Sequence, residues 1–341
     1  MELRPLGRTG VQVSKLCLGT MMFGAWGNTD HADSIRIIHR ALDAGINFVD
    51  TADVYSAGES EEILGKAIRT PPSRRDDIVL ATKVYSPMGE DPNRRGISRR
   101  WIIAEVENSL RRLATDWIDL YQIHRPDPNT DIDETLAALT DLVQQGKVRY
   151  IGSSSLSAGQ IVEAQWVARD RRLERFRTEQ PPYSLLVRGI ELDVLPTAAR
   201  HGMGILTYSP LAGGWLSGRW TADAAPTSPA RKRLAARYDM SLPENQRKLE
   251  ATQALGEVAD DAGLSLIELA IAFVVNHPAV TSAIIGPRTV EQLDSQLTAA
   301  DVVLDAAVLD RIDDIVRPGV TLNPADTSYG EQVLDPVLRR R

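Results

Sequence analysis

Cysteine and histidine, the residues from which disulfides and many metal centres are built, are scarce in this sequence. The 341 residues include one cysteine and five histidines. One thiol cannot form a disulfide within the chain, and the histidines are not spaced as clustered metal ligands are. Cys17 stands in the apolar run Leu16-Cys17-Leu18, which predicts a buried, unreactive thiol. The sequence therefore predicts neither a disulfide framework nor a metal site.

An excess of basic residues is also missing, since the formal net charge is −7. Nucleic acids and anionic membrane surfaces attract basic proteins, so we expect neither as a partner. The chain has no apolar run of the length that spans a bilayer, and Met1–Pro5 lacks the apolar core of a secretion signal. These absences predict a cytoplasmic protein.

The Gly-x-Gly-x-x-Gly turn that a doubly wound dinucleotide-binding sheet carries after its first strand is absent as well. Short apolar strands instead alternate with helical patterns, and Asp30 and Ser60 are of the type found at helix N-caps. Eight right-handed βα units close into a barrel. We therefore predict an α/β fold, a (β/α)8 TIM barrel, in preference to the doubly wound sheet. The predicted strands are 16–19, 47–50, 78–82, 118–123, 148–153, 177–180, 205–208 and 282–285, and the predicted helices between them are 32–44, 60–68, 98–112, 133–145, 157–169, 189–200 and 290–299.

The remaining segments extend this barrel, so residues 1–341 are predicted to be a single domain. Residues 1–15 form a predicted β-hairpin cap, and the barrel occupies 16–300. A long insert, 214–249, follows the seventh strand, and a further helix and a tail occupy 301–341. Segments of this kind either close over the barrel or fray, and the sequence leaves both possibilities open.

Polar side chains end three neighbouring strands of the predicted barrel. Asp50 ends the second strand and Tyr55 follows it, Lys83 follows the third strand, and His124 follows the fourth. The carboxyl ends of barrel strands share one face, on which catalytic groups lie. A lysine stabilises a neighbouring phenolate and lowers its pKa, an aspartate holds the lysine, and a histidine polarises a carbonyl group. The set predicts proton donation to a carbonyl oxygen, without covalent catalysis unless Lys83 is a nucleophile.

These residues resemble the catalytic tetrad of the aldo-keto reductase superfamily, and the chain is most similar to bacterial reductases related to potassium-channel β-subunits. The resemblance covers nearly the whole chain through the motifs Arg4–Gly10, Leu18–Thr20, Asp50–Tyr55, Asp119–His124, Tyr208–Leu211 and Gly286–Thr289. It implies that Tyr55 is the general acid of an NADPH-dependent reduction of aldehydes or ketones to alcohols. Histidine at position 124 implies carbonyl reduction, because members that reduce activated C=C bonds carry glutamate there.

The resemblance also implies that NADPH lies across the end of the barrel. Arg288 matches the position that binds the 2′-phosphate, which a guanidinium suits well, and this implies NADPH rather than NADH. Gly286 permits close backbone approach, and the helix that begins at Val290 offers its N-terminal amides to an anion. The residues implied to bind the cofactor are Thr20, Met21 and Asp50 near the nicotinamide, Ser154 and Gln180 at its carboxamide, Tyr208 stacked on its ring, Ser209, Leu211, Gly213 and Arg219 at the pyrophosphate, and Gly286, Arg288, Gln292 and Gln296 around the adenosine phosphate and adenine.

The expected partner is a small-molecule carbonyl compound. Trp26, Tyr85 and Trp215 lie in loops after the first, third and seventh strands, where they can wall a pocket for an aromatic or sugar aldehyde. Trp220 is expected to pack its loop instead. The chain itself is expected to be a monomer or a homo-oligomer.

Two other functions remain open at this stage. A regulatory subunit would keep the fold and the cofactor and act by binding a partner. A Schiff-base lyase would use Lys83 as its nucleophile. A metal-dependent barrel hydrolase is disfavoured, because only His124 among the histidines falls at a predicted strand end.

Overall fold

The computed structural model describes residues 1–69, 74–220 and 234–327. The middle of the predicted insert, 221–233, and the end of the predicted tail, 328–341, lie outside the described residues. The two possibilities stated for these segments, closing over the barrel and fraying, therefore stay predictions.

A two-stranded hairpin closes the amino-terminal end of the barrel. Strand β1 (Leu3–Pro5) pairs antiparallel with β2 (Gln12–Ser14), as predicted for residues 1–15. Between the strands, Gly7 has a φ of +56°, and a Cβ there would lie 2.7 Å from the backbone nitrogen of Gly204. Only glycine fits this contact, so the hairpin is fastened closely to the start of a barrel strand.

Eight parallel strands close into a barrel, which confirms the predicted (β/α)8 TIM barrel. The eighth strand of the barrel pairs with both its first and its seventh strand, so the sheet has no open edge. The strands are β3 (Leu16–Gly19), β4 (Phe48–Asp50), β5 (Val79–Val84), β6 (Ile118–Ile123), β7 (Val148–Ser154), β8 (Thr178–Gln180), β9 (Gly204–Tyr208) and β10 (Ser282–Ile285).

The pleat of the strands determines where polar groups gather. Phe48, Ala81 and Leu120 belong to the apolar cluster inside the barrel, together with Leu6 and Cys17. Side chains two positions apart on a strand share a face. The residues two positions beyond those three strand residues are Asp50, Lys83 and Gln122. The barrel interior thus changes from apolar to polar toward the carboxyl ends of the strands, an end of the barrel that we call the mouth.

Helices surround the strands close to the predicted positions. Asp30 caps the first helix as predicted, since its side chain accepts from the backbone nitrogens of Ala32 and Asp33. The helices are α1 (His31–Asp43), α2 (Glu59–Arg69), α3 (Arg99–Leu113), α4 (Ile132–Gln144), α5 (Ala158–Arg171), α6 (Val194–His201), α7 (Pro243–Asp261), α8 (Leu266–Asn276), α9 (Val290–Leu297) and α10 (Ala306–Ile315).

Two local predictions near the mouth are wrong. Ser60 is not an N-cap, because a 3-10 turn precedes α2 directly and the helix begins at Glu59. The Ser60 hydroxyl instead contacts Thr20, lying 2.8 Å from both its carbonyl oxygen and its Oγ1. Strand β5 continues beyond the predicted end at residue 82, because Lys83 and Val84 pair with β6. Lys83 is therefore held by a strand and not by a loop.

The predicted insert, 214–249, is too long at its carboxyl end. Helix α7 begins at Pro243, a residue that suits the first turn of a helix because its φ is fixed and its missing N–H is not needed there. Lys248 of this helix is fully buried and forms an ion pair with Asp326 at 2.7 Å. The end of the insert is thus part of the packed molecule.

Two features are missing from the described ranges. None of their helices is both long enough and apolar enough to cross a membrane. Within the same ranges, no group of three or more His, Cys, Asp or Glu side chains is arranged to hold a metal ion.

Candidate active site

Lys83 lies at the centre of the mouth with its side chain fully buried. Its Nζ forms an ion pair with Asp50 and donates to the Thr51 carbonyl at 2.8 Å and to the Tyr55 hydroxyl at 3.3 Å. These three acceptors match the three hydrogens of the ammonium group. The structure thus brings together three of the four predicted catalytic residues.

Two glutamines inside the barrel hold the other carboxylate oxygen of Asp50. Gln122 donates to Oδ2 at 3.1 Å and Gln180 donates to it at 2.9 Å. Gln180 is also predicted to hydrogen-bond the cofactor's carboxamide, and its amide nitrogen is engaged here by the carboxylate. Sequence reasoning missed Gln122. Its signal was an amide at an interior position of an apolar strand, two residues before His124.

A strained turn carries Tyr55. The 3-10 segment Tyr55–Gly58 contains Ser56 and Ala57 with φ values of 50° and 56°, in the left-handed region. The Ser56 hydroxyl accepts from the backbone nitrogen of Trp26 at 3.1 Å, which ties the turn to the loop after β3. Strain of this kind is characteristic of functional sites, because the surrounding structure must hold the residue in place.

The protonation states of Tyr55 and Lys83 follow from their burial and their contact. Burial raises the pKa of the Tyr55 phenol above its ordinary value, and the opposing effect of Lys83 does not cancel it. Lys83 thus acts to lower this pKa, as expected, but burial outweighs it because the phenolate loses its hydration. Burial also acts to lower the pKa of Lys83, but Asp50 and Tyr55 outweigh it and raise that pKa. At neutral pH the phenol is protonated beside a cation.

His124 completes the predicted tetrad. Its ring stands edge-on to the Tyr55 ring, with the centroids 5.8 Å apart and an interplanar angle of 79°. Burial, with the positive charges of Lys83 and Arg125, lowers the pKa of His124 well below its ordinary value. The Nδ1 atom is buried and has no hydrogen-bond partner in the described part of the chain. A neutral imidazole is therefore present beside the Tyr55 ring.

The opposite side of the mouth is built by the ends of β7, β8 and β9. Ser154 is buried, and its hydroxyl donates to the Gln180 carbonyl at 2.8 Å. The hydroxyls of Ser155 and Tyr208 lie 3.4 Å apart. Arg125, a residue that sequence reasoning missed, donates to Ser155 Oγ at 3.1 Å. Ser154, Gln180 and Tyr208 are predicted to bind the nicotinamide end of a cofactor, and they thus lie at adjoining strand ends.

The loop after β3 forms another wall. Thr20 is buried and its backbone nitrogen donates to the Asp50 carbonyl at 2.9 Å, whereas Met21 is exposed. Trp26 is half-buried with its ring centre 6.0 Å from that of Tyr55, which agrees with a position on the pocket wall. Tyr85 is half-buried and packs against the apolar core.

The segment after β9 has an unusual backbone. Ser209 is exposed with a φ of 59°, and Gly213 has a φ of 66°. A Cβ at Gly213 would lie 2.3 Å from the Tyr238 hydroxyl, so packing alone explains this glycine. Leu211 is half-buried, and Arg219 is exposed.

Trp215 does not lie on the pocket wall. Its side chain is fully buried, its ring stacks on Trp220 with centroids 3.9 Å apart, and its Nε1 donates to the Arg237 carbonyl at 3.2 Å. Lys248 Nζ lies 4.5 Å from the ring centre. The described flanks of the insert fold onto α7 and enclose this tryptophan, so it offers no surface to a substrate. Trp220 packs its loop, as expected.

The segment after β10 contains polar groups whose capacity for ion pairs or hydrogen bonds is not filled within the described ranges. A Cβ at Gly286 would meet no atom within 4 Å. Arg288 is half-buried and forms no ion pair with a carboxylate of the described ranges. Gln292 Oε1 accepts from the Arg288 backbone nitrogen at 2.9 Å, while Gln296 Oε1 is buried without a described partner.

Glu179 is a fully buried carboxyl group behind the end of β8. It accepts from the Ser153 hydroxyl at 2.6 Å and from the Leu156 backbone nitrogen at 3.0 Å. Burial raises its pKa to about 7, from an ordinary value of 4.5. The folded state therefore holds this proton more tightly than the unfolded state, so stability falls as pH rises from 4.5 through 7. The loss amounts to about 3 kcal/mol when complete.

The variant Glu179→Gln is accordingly expected to flatten the dependence of stability on pH. Urea midpoints measured at pH 5, 6, 7 and 8 should decline less steeply than those of the parent chain. The exposed Glu163 on α5 provides the control, since Glu163→Gln should leave the slope unchanged. Equal slopes for the parent and Glu179→Gln would contradict the assignment.

Comparison with known proteins identifies the family of the chain. The sequence model of the Aldo/keto reductase family matches residues 15–317. The chain belongs to this family. Its members generally bind nicotinamide cofactors and are oxidoreductases.

Individual relatives of the chain differ in what their names state. The chain is 43% identical over 324 residues to the uncharacterized oxidoreductase YrpG of Bacillus subtilis, covering 92% of this chain and 96% of the relative. It is 38% identical over 330 residues to a probable voltage-gated potassium channel subunit beta of Arabidopsis thaliana, covering 93% and 97%. It is 37% identical over 298 residues to the aldo-keto reductase YhdN of Bacillus subtilis, covering 86% and 87%.

Proposed function

We propose that this aldo/keto reductase reduces aldehydes or ketones to alcohols with NADPH, and that Tyr55 is the general acid. The observation that carries the proposal is the Tyr55 hydroxyl lying 3.3 Å from Lys83 Nζ, which is itself paired with Asp50. A protonated phenol, a buried cation and a neutral histidine face one space at the mouth. This arrangement suits proton donation to an oxygen that gains negative charge.

The residues around the mouth fit a nicotinamide dinucleotide phosphate. Neither packing nor backbone conformation requires glycine at position 286. An extended ligand that passes close to the backbone there would explain the missing side chain. Gln296 Oε1 is buried without a partner, as expected of a group that awaits a ligand donor. Arg288 would hold the 2′-phosphate, the start of α9 would contribute amides, and Tyr208 would stack on the nicotinamide.

When bound at the mouth, NADPH would supply the hydride for the carbonyl carbon. The chain's own residues handle the proton. His124 orients and polarises the carbonyl oxygen, and Tyr55 transfers its phenolic proton to that oxygen as charge develops. Lys83 stabilises the phenolate that remains, and Asp50 keeps Lys83 in position between β4 and β5. Solvent then reprotonates Tyr55, which is only partly buried as a whole residue.

Lys83 is poorly suited to the alternative role of a Schiff-base nucleophile. A nucleophilic lysine must be neutral and accessible. Lys83 is fully buried, and its pKa is raised by its partners despite the opposing effect of burial. Its ammonium hydrogens are also engaged by Asp50, Thr51 and Tyr55. These observations favour a role through Tyr55.

The test of the proposed function is cofactor binding followed by turnover. NADPH and NADH are titrated against the intrinsic fluorescence, and the loss of nicotinamide absorbance is followed with a panel of aldehydes. Binding with turnover supports the reductase. Binding without turnover on any aldehyde would favour a regulatory role, which the similarity to a channel β-subunit makes worth testing. Binding of neither nucleotide would overturn the proposal.

Arg288 is expected to determine the preference for NADPH. The variant Arg288→Gln should weaken NADPH binding about tenfold to a hundredfold, because a charge-assisted hydrogen bond to the phosphate is lost. NADH lacks that phosphate and serves as the internal control. Its Kd should differ by less than about threefold between the parent chain and the variant. Equal weakening of both nucleotides, measured by fluorescence titration, would show that Arg288 acts on the loop and not on the phosphate.

A further inference from the structure

Arg125 brings a positive charge to the mouth, and no described carboxylate forms an ion pair with it. The side chain is half-buried directly after His124, and residues 1–69, 74–220 and 234–327 provide no carboxylate within ion-pair distance of it. Acidic groups around the mouth make their direct contacts elsewhere, since Asp50 is paired with Lys83 and Asp127 accepts from Thr130 at 2.9 Å. Buried Glu179 is influenced by the charge of Arg125, but its carboxyl oxygens accept from Ser153 and Leu156. A partly buried cation without an acidic partner is costly to stability, which points to a function.

The contacts of Arg125 orient its guanidinium without neutralising it. Nη1 donates to the His124 carbonyl at 2.8 Å, to Ser155 Oγ at 3.1 Å and to Ser154 Oγ at 3.4 Å, and all three acceptors are neutral. The guanidinium carbon lies 6.0 Å from the Tyr208 ring centre, at the outer limit of cation–π attraction. Within the described ranges, Nε and Nη2 have no acceptor, and these are donors that a bidentate carboxylate could use.

The position of Arg125 relates this charge to the reacting groups. It follows His124, whose ring meets that of Tyr55, and it reaches across to Ser155 and Tyr208 on the far side of the mouth. The guanidinium thus lies at the same mouth as Tyr55, where part of a substrate with its carbonyl at Tyr55 could contact it. Its charge is felt at the reacting groups, because Arg125 contributes to lowering the pKa of His124.

We propose that Arg125 selects carbonyl substrates that carry a carboxylate, which makes anionic aldehydes and keto acids the preferred substrate class. This inference rests on the proposed carbonyl reduction and names its substrate. The alternative is that Arg125 only fixes Ser154 and Tyr208 for the cofactor, in which case charged and neutral substrates would depend on it equally.

The experiment compares substrates that differ in one group, a carboxylate or its uncharged methyl ester. 3-Carboxybenzaldehyde and 4-carboxybenzaldehyde are each paired with their uncharged methyl esters, and kcat/KM is measured for all four with NADPH. The parent chain should prefer the acids. In Arg125→Gln the ratio of acid to ester should fall about tenfold to a hundredfold for at least one pair. Arg125→Lys keeps the charge and should retain part of the preference, and raised salt should weaken it in the parent chain.

A ratio that Arg125→Gln leaves unchanged would overturn the inference, as would an equal loss on acids and esters. Equilibrium binding provides a second readout that needs no turnover. Benzoate is titrated calorimetrically into the parent chain and Arg125→Gln, with and without NADP⁺, and the Kd should rise about tenfold in the variant. Equal affinities, or no binding of benzoate to the parent chain, would count against Arg125.

The two proposals fail in different ways. If the parent chain consumes NADPH with the esters but shows no dependence on Arg125, only the substrate class is wrong. If it consumes NADPH with none of the four aldehydes, the proposed reduction is wrong, and the benzoate titration still decides whether Arg125 binds a carboxylate.

Discussion

Replacing Tyr55 with phenylalanine is expected to lower kcat for aldehyde reduction by about 10²–10⁴-fold, the range that a positioned general acid contributes. The variant loses the hydroxyl 3.3 Å from Lys83 and keeps the ring beside His124 and Trp26. The walls of the mouth should therefore survive. NADPH affinity, measured by fluorescence titration, should change little while turnover is nearly abolished.

Tyr150 provides the matched control for this variant. It lies on β7 with its hydroxyl 3.5 Å from the Thr9 carbonyl in the hairpin, at the opposite end of the barrel. Tyr150→Phe removes the same oxygen from a barrel tyrosine and should leave kcat within about twofold, since one long, partly buried hydrogen bond is lost far from the mouth. Near-full activity in Tyr55→Phe would show that another group donates the proton.

Replacing Lys83 with methionine should remove activity and also destabilise the fold. Asp50 is buried, and without Lys83 its charge would be held only by Gln122 and Gln180 through Oδ2. Breaking a buried ion pair from one side costs about 3–5 kcal/mol, because the remaining charge loses its partner. The expected result is a lower urea midpoint together with a loss of kcat.

A second variant separates these two effects. In Lys83→Met with Asp50→Asn, both charges are absent, so most of the lost stability should return while turnover stays low. Lys147→Met is the control, because it breaks a half-exposed pair with Glu107 and should cost less than about 1 kcal/mol. A midpoint for Lys83→Met equal to that of Lys147→Met would contradict the idea that the Asp50 charge is enclosed.

The barrel could be predicted from the sequence because its signals are local and repeat. Each strand is a short apolar run, and Asp30 or a glycine stop marks helix limits within a few residues. Asp50, Lys83 and His124 could be assigned to one face because the carboxyl ends of parallel strands must share an end. The pairing of Asp50 with Lys83 follows from strand order and pleat alone.

Other features depend on contacts between distant segments, which no local pattern contains. Trp215 has the residue type of a pocket wall, but its burial depends on Trp220 and Lys248. The direction of the Tyr55 pKa depends on how far water is excluded, a property of the assembled mouth. Arg125 carried no signal because a charged residue after a strand is ordinarily solvated, and its lack of an acidic partner appears only in three dimensions.

The closure of the barrel has a consequence for synthesis of the chain. Ser282 at the start of β10 donates to the Ser14 carbonyl just before β3, a contact between residues 268 positions apart. Until β10 has left the ribosome, β3 and β9 therefore present unpaired strand edges that can associate with other nascent chains. A truncation anywhere before β10 removes more than a terminal element, because it leaves an open sheet with two unpaired edge strands that can pair with other chains.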